Sequence, residues 1–360
     1  MSPLTPVSDA AAWDRFVSSS EKPHIFQSWA WGELKERTGW RAHRMAVERD
    51  GAWRAGLSLL ERPLPWRGRC FMYAPRGPLW AAGSFDRDLA ELLAGARDFA
   101  RSRGAVFLKI DPDIPLPEDR IAGLLRADGF TPAPETGGFS GVQPRTVFRL
   151  DISLSEDDLL RRMDQKTRYN IRLAERRGVM IRPCAEPGDV AAFYKILAET
   201  ARRDGFLIRP EKYFQDIFSL LGSRDQAHFV LAEREGRPIA GALALTVGPM
   251  CWYAYGASAN EAREHMPNHL VQWTLIRWAK SRGCRVYDFR AVPTRPNPKD
   301  PLYGLFRFKK GFNGDLVNFI GEFDWAASPL LYWAWTRAWP LFKSIRRALF
   351  LKKRSSEASE

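Results

Sequence analysis

The reactive side chains of this 360-residue chain are lysines, arginines, tyrosines and aspartates, because the usual nucleophiles and metal ligands are badly spaced for chemistry. Of the five histidines, His24, His43, His228, His265 and His269, one pair stands at i, i+4, but Pro267 lies inside it and no acid follows at ligand spacing. Zinc is therefore not expected. Cys70, Cys184, Cys251 and Cys284 stand far apart without a C-x-x-C pair, and read as buried apolar residues of a reducing compartment. No Gly-x-x-x-x-Gly-Lys-Ser/Thr loop, no Gly-x-Gly-x-x-Gly after a strand and no Gly-x-Ser-x-Gly elbow occurs, and no cofactor is expected. What remains is chemistry suited to anions. The formal net charge of +13 fits nucleic acid, an anionic membrane surface or a phosphorylated substrate, although an arginine-rich composition alone would also produce it. The cations are densest at Arg161, Arg162, Lys166, Arg168, Arg172, Arg176 and Arg177, on one long helix expected between the cap Ser155-Glu-Asp-Asp158 and Gly178. Such a helix is either an ordinary solvated face or a surface that lies along a phosphate backbone.

The elements that must position these groups come twice. Ala100-Arg-Ser-Arg-Gly104 and Ala279-Lys-Ser-Arg-Gly283 each follow a helix-like apolar run and lead into a strand-like one. The first leads to Val106–Asp111 and the second to Arg285–Phe289. Upstream, Val47-Glu-Arg-Asp-Gly51 answers Ala232-Glu-Arg-Glu-Gly236, each read as a turn between strands. A spacing of about 180 residues is too long for a solenoid repeat and indicates a duplicated domain, with a cleft between the copies where a ligand could sit.

Between these landmarks the pattern predicts helix from Ala10 to about Trp40, strands around Asp50-Gly51, a strand Arg69–Tyr73 and a helix Asp86–Arg101. The Pro- and Gly-rich stretch Pro112–Gly141, with one short helix, reads as the connection. The second copy then runs through a strand Arg145–Asp151, the basic helix, helices Asp189–Arg203 and Pro210–Leu221, a strand from Met250 ending at Gly256, and a last strand Leu316–Phe323. This gives an α/β (α+β) fold with domains at 1–141 and 142–325, followed by 326–360. In that tail, Leu330–Arg354 interleaves aromatics with cations, which suits either packing on the core or an interfacial helix on anionic lipid. No run is long and apolar enough to span a membrane, and no secretory signal is visible, so a cytoplasmic protein is expected.

Each copy resembles an acyltransferase unit of the GNAT type in its order of strands and helix. Yet no Arg/Gln-x-x-Gly continues as the loop that binds coenzyme A pyrophosphate; Arg101–Gly104 and Arg202–Gly205 have Val106 and Leu207 at the closing position. A doubled unit without that loop needs another acyl donor.

From about Phe26 to Asp324 the chain resembles the FemABX family, the non-ribosomal peptidyltransferases that build peptidoglycan cross-bridges from aminoacyl-tRNA. The resemblance is carried by Phe26-Gln-Ser-Trp-Ala-Trp-Gly-Glu-Leu-Lys35, Lys166-Thr-Arg-Tyr-Asn-Ile-Arg172, Arg203-Asp-Gly-Phe-Leu-Ile-Arg209, Tyr253-Ala-Tyr-Gly-Ala-Ser258, Tyr287-Asp-Phe289 and Phe308-Lys-Lys-Gly-Phe312. It implies two tandem GNAT-like domains with a cleft between them. It also implies that Lys35, Arg209 and Tyr213 hold the diphosphate of a cell-wall precursor, arginine being apt because its planar fork pairs two phosphate oxygens. By the same resemblance Lys309 is the catalytic lysine, Phe308 lies beside it, and Asp111, Tyr255 and Ser258 face the cleft. From the residues alone, Lys35 would pass as a surface residue, Tyr213 and Tyr255 as core aromatics, and Lys309-Lys310 as a solvated turn.

The family's coiled-coil arm is missing, since no heptads are sustained, so the chain resembles the armless subset. Contact with aminoacyl-tRNA then falls to Lys166, Arg168 and Arg172 or to the tail. Asn313-Gly314 also stands where a Gly-Gly pair is common in the family. The reaction implied is transfer of an amino acid to an amine of a UDP-linked or lipid-linked muropeptide. A monomer would carry it out at the inner face of the cytoplasmic membrane, contacting lipid through 330–354. In that reaction Lys309 would stabilise the oxyanion, and Asp111 or a substrate carboxylate would take the proton. Three other readings stay open: transfer to a lipid or protein amine, a coenzyme A-dependent N-acyltransferase, and a non-catalytic tRNA- or membrane-binding protein.

Overall fold

A computed structural model describes residues 4–84, 86–133, 142–300 and 302–337. The first part of the chain supplies strands β1 (Thr5–Pro6), β2 (Arg41–Arg49), β3 (Ala52–Pro63), β4 (Cys70–Arg76), β5 (Leu79–Trp80), β6 (Ala105–Pro112) and β7 (Thr131–Pro132). With them come helices α1 (Ala10–Ser19), α2 (Trp29–Glu36), α3 (Asp86–Ser102) and α4 (Arg120–Ala127). The second part supplies β8 (Thr146–Asp151), β9 (Met180–Pro183), β10 (Ala227–Arg234), β11 (Arg237–Val247), β12 (Met250–Ser258), β13 (Val286–Ala291) and β14 (Asp315–Asn318). Its helices are α5 (Glu156–Arg162), α6 (Gln165–Arg176), α7 (Pro187–Asp204), α8 (Glu211–Leu220), α9 (Pro267–Ser281) and α10 (Tyr303–Lys310).

These strands form two sheets, so the α/β fold expected from the repeat is the one observed. Both marker repeats do the same local work. Asp50 and Gly51 take φ of 51° and 73°, and Glu235 and Gly236 take 53° and 72°. Two successive left-handed residues are what a tight hairpin between β2 and β3, or β10 and β11, demands. Gly104 and Gly283, at φ 72° and 79°, end the equivalent helices α3 and α9 before the equivalent strands β6 and β13. Helix α3 packs on the first sheet through Leu89, Leu92, Leu93, Ala96 and Ala100, an i, i+3, i+4, i+7 stripe.

The sheets order as β1-β2-β3-β4-β6-β15-β7, with β5 on β3, and as β14-β8-β13-β12-β11-β10-β9. Strand β15 (Phe323–Ala326) is the surprise. It leaves the second sheet and pairs antiparallel with β6, Phe323 opposite Ile110 and Asp324 opposite Lys109. The limit drawn at residue 325 therefore cuts through a strand of the first sheet. Lys109 holds β15 in place, reaching Glu322 at 2.7 Å and Asp324 at 2.8 Å.

An apolar cluster crosses from one half to the other: Trp13, Phe16, Trp31 and Leu34 pack with Phe193, Phe214, Leu243 and Trp252. Ion pairs between α2 and the α8 region reinforce it, Arg37 to Asp216 at 2.5 Å and Glu33 to Arg224 at 2.6 Å.

Four other expectations change. The single helix of Ala10–Trp40 is α1 and α2, joined through a short 3-10 turn at Ile25–Gln27. The long basic helix is two helices, because Met163 swings to an extended ψ of 154° between α5 and α6. Strand β12 runs past Gly256 to Ser258, and the last strand is split into β14 and β15. Of the aromatic–basic tail, residues 329–337 are helical. Their Leu331, Tyr332 and Trp335 pack on Leu64, Val106 and Phe107 of the first half. Residues 338–354 of that tail lie outside the described residues.

Candidate functional site

Two cation-centred clusters are linked by a run of side-chain contacts. In the first, the N-cap Ser28 starts α2 by accepting from Trp31 N, and the helix carries Lys35 to its last turn. There Lys35 Nζ lies 3.3 Å from the Tyr213 hydroxyl and 4.5 Å from the centroid of Trp31. Tyr213 comes from α8 in the other half and is buried, and the exposed Arg209 guanidinium lies 5.6 Å from its ring. The Tyr255 and Phe214 rings pack nearly perpendicular, with centroids 4.9 Å apart. Burial, with Arg209 and Arg62 nearby, lowers Lys35 to a pKa of about 7. A half-buried lysine facing further cations and no acid is arranged for an incoming anion.

The second cluster is built around α10, the helix that the sequence left as a solvated turn. Phe306 packs on Phe148 and Phe312 on Phe289, so the helix is clamped along its apolar side. Its C-terminus docks where the basic helix breaks: Asp164 N donates to Gly311 O at 2.9 Å. A Cβ on Gly311 would lie 2.3 Å from the Thr167 hydroxyl, so a larger residue there would force Thr167 to move. The clamp drives Lys309 inward to 4 % exposure, where its ammonium donates to Ala291 O at 2.8 Å and lies 5.9 Å from the Tyr253 ring. Burial lowers Lys309 to a pKa of about 7; Asp288 acts to raise it and Arg290 to lower it.

Asp288 is held in turn. Arg149 Nε donates to it at 3.0 Å and reaches Asp113, from the first half, at 2.7 and 2.5 Å. The Arg290 N–H donates to Asp288 Oδ1 at 2.6 Å while Arg290 itself holds a φ of 62°, a strained conformation of the kind found at functional sites.

Arg290 joins the clusters. Its guanidinium lies 5.2 Å from the Phe26 ring, Phe26 stacks on Trp31 at 4.3 Å, and Trp31 carries Lys35. Tyr255, whose pKa burial raises, feels both Arg209 and Arg290 as opposing influences.

The structure thus brings Lys35, Arg209, Tyr213 and Tyr255 together, and connects them to Lys309. Asp111 lies at the end of β6, and its partner Arg76 is one of the charges acting on Arg290. The Asp111 oxygens accept from Tyr73 Oη at 2.8 Å and Arg76 N at 2.7 Å, and burial raises its pKa to about 6. Ser258 is a buried brace: its N–H donates to Thr200 Oγ1 at 2.8 Å, and its carbonyl accepts from that hydroxyl and from Arg203. Phe308 packs on His269 and Phe312.

Lys166 and Arg172 are exposed on α6, while Arg168 turns back to cap the end of α5, donating to Arg161 O at 3.1 Å. His269 lies 3.2 Å from the Asn170 amide nitrogen, and burial lowers its pKa to about 4. No group of three metal-ligating side chains occurs among the described residues.

Asp288, Arg290, Arg149 and Asp113 were not singled out in the sequence. Asp288 does lie inside the Tyr287-Asp-Phe289 signature, which was a usable signal.

Two sheets of equivalent strand order, each with one parallel pair, define a tandem GNAT-like protein. The structure superposes on a tandem GNAT protein from the clavulanic acid biosynthesis pathway with a TM-score of 0.56, over 91 % of this chain and 98 % of that one, at 13 % identity. It is far more similar to the crystal structure of FemX, with a TM-score of 0.85 at 27 % identity over 91 % of this chain and 98 % of that one. The sequence matches the FemAB family over residues 9–237 and 233–338, and the chain belongs to that family. Among curated relatives, the lipid II:glycine glycyltransferase of Staphylococcus aureus (strain MRSA252) is 28 % identical over 89 % of this chain and 92 % of its own length.

Proposed function

We propose that the chain transfers an amino acid from aminoacyl-tRNA to the stem-peptide amine of a peptidoglycan precursor, and that the precursor is lipid-linked. The observation that carries this reading is Lys309, buried beside Asp288 and Arg290 and connected through Arg290, Phe26 and Trp31 to Lys35, on which Arg209 and Arg62 act. In this reading Lys35 and Arg209 pair the precursor diphosphate, and Tyr213 fixes Lys35. The choice of a lipid-linked acceptor follows the relative's name as a lipid II glycyltransferase.

The aminoacyl ester is already activated. The acceptor amine, as the free base, attacks its carbonyl; the C–N bond forms, the tetrahedral oxyanion collapses and the C–O bond to the tRNA ribose breaks. Lys309 as an ammonium stabilises that oxyanion, an effect of about 3 kcal/mol for a well-placed donor. The proton lost by the amine goes to the departing ribose oxygen or to a carboxylate of the substrate. Asp111 is assigned a structural part, because both of its oxygens already accept hydrogen bonds inside the first sheet. Lys166 and Arg172, exposed on α6 next to the docking point of α10, are assigned to the tRNA backbone. The protein would act at the inner face of the cytoplasmic membrane; no helix among the described residues is long and apolar enough to cross it.

The test is transfer of labelled amino acids from total aminoacyl-tRNA to UDP-linked and lipid-linked muropeptides, with and without ribonuclease. Ribonuclease-sensitive labelling of the lipid-linked acceptor is expected. Labelling of neither acceptor would refute the reaction, and labelling of the UDP-linked acceptor alone would refute the choice of acceptor.

A further inference from the structure

We propose that the outer face of the first half, formed by Trp40, Trp66, Phe71 and the helix over 329–337, seats the protein on an anionic lipid bilayer with Lys35 at its edge. The inference rests on the lipid-linked acceptor proposed above and gives it a docking surface. The helix over 329–337 is anchored on one side only. Leu331, Tyr332 and Trp335 pack inward on Leu64, Val106 and Phe107, and Tyr332 Oη donates to Asp324 at 2.7 Å. Leu330 and Trp333 turn outward, 77 % and 59 % exposed.

The aromatic strip is continuous. Trp66 and Phe71 meet Trp335 at 6.2 and 5.9 Å, and Phe71 meets Trp40 at 5.3 Å. Trp40 N then donates to Lys35 O at 3.3 Å, so the strip ends at the helix turn that carries Lys35.

Cations border it. Arg62 lies over Trp40 at 5.2 Å and Arg337 over Trp333 at 5.8 Å, and Arg62, Arg67, Arg69 and Arg337 are all exposed. The sequence continues with Lys343, Arg346, Arg347, Lys352, Lys353 and Arg354 before the next acid, Glu357. Tryptophan suits the headgroup layer, and arginine beside it suits anionic lipid. Exposed Leu330 beside Trp333 can enter the apolar layer of a bilayer and finds no such layer on RNA, which favours the bilayer. A diphosphate linked to a lipid emerges at headgroup depth, the level at which such a seat would hold Lys35.

The experiment is co-sedimentation of the full chain with phosphatidylcholine vesicles, with and without phosphatidylglycerol. It compares wild type, Leu330→Ser with Trp333→Ser, and Arg67→Glu with Arg69→Glu. The wild type is expected on the anionic vesicles only, and each pair of substitutions should reduce the bound fraction about 10-fold. Unchanged melting temperatures and unchanged binding of a soluble UDP-muropeptide would show that the variants fold and keep the Lys35 site. Wild type that stays in solution, variants that bind as well as wild type, or loss of tRNA binding in place of vesicle binding would each overturn the proposal. Vesicle binding as expected, without transfer to any acceptor, would uphold this surface while removing the reaction.

Discussion

The two halves contain the same parallel strand pair, and they treat it in opposite ways. In the first half, β4 and β6 stay in register from Cys70–Ala105 to Arg76–Pro112, with one irregularity after Cys70. The end of that seam is closed by Asp111, which ties together Tyr73 and Arg76. In the second half, β12 and β13 pair only from Met250–Val286 to Trp252–Asp288. Beyond that point the strands part, and Tyr253, Tyr255, Arg290 and Lys309 gather around the gap. Duplication gave two copies of one scaffold. In the function proposed above, the sealed copy serves as a wall and the parted copy as the reaction site, the difference lying in where two strands stop bonding rather than in overall topology.

Substitutions can break or sharpen that contrast. The largest effect is expected for Lys309→Met at the parted seam: a fall in kcat of about 100-fold or more with KM for the precursor nearly unchanged, in steady-state transfer assays. A near-normal kcat would remove Lys309 from the chemistry. Arg209→Ala should act on binding instead, raising KM for the precursor about 10-fold with little change in kcat. An unchanged KM would refute the diphosphate clamp.

Asp288→Asn probes the charge of the lysine. Lys309 must be an ammonium to hold the oxyanion, so turnover should fall as pH rises through about 7. Asp288 raises that pKa, so its removal should move the alkaline limb to lower pH. The expected loss is about 3- to 10-fold near pH 7.5, recovering toward about pH 6. A pH profile displaced upward, or not at all, would show that Asp288 does not govern Lys309. The smallest effect belongs to the sealed seam: Asp111→Asn should leave kcat within about 2-fold, whereas a general base would cost about 100-fold or more.

How much of this could be read from residues alone depended on whether the cause was local. The tandem repeat was legible because Asp50-Gly51, Glu235-Gly236, Gly104 and Gly283 report backbone conformation directly. Asn313 also fits, since asparagine tolerates the left-handed φ of 63° that it adopts. The break in the basic helix was not legible. Ser155 caps α5 as expected, but the interruption at Met163–Asp164 exists to receive Gly311 from far along the chain. The inward turn of Lys309 was hidden for the same reason, since Lys309 and Lys310 look alike until Phe306 and Phe312 fix the helix that separates them. Asp113, Arg149 and Asp288 are far apart in sequence, and no periodicity marks a charge network of that kind.

The return of β15 to the first sheet sets an order on synthesis. Strand β6 is complete by residue 112, yet its outer neighbour is residues 323–326. While the ribosome makes the intervening stretch, β6 offers an open row of backbone donors and acceptors, with Lys109 waiting for Glu322 and Asp324. The first half is therefore born early and finished late, and a chain released before residue 326 carries an unprotected strand edge into the cell.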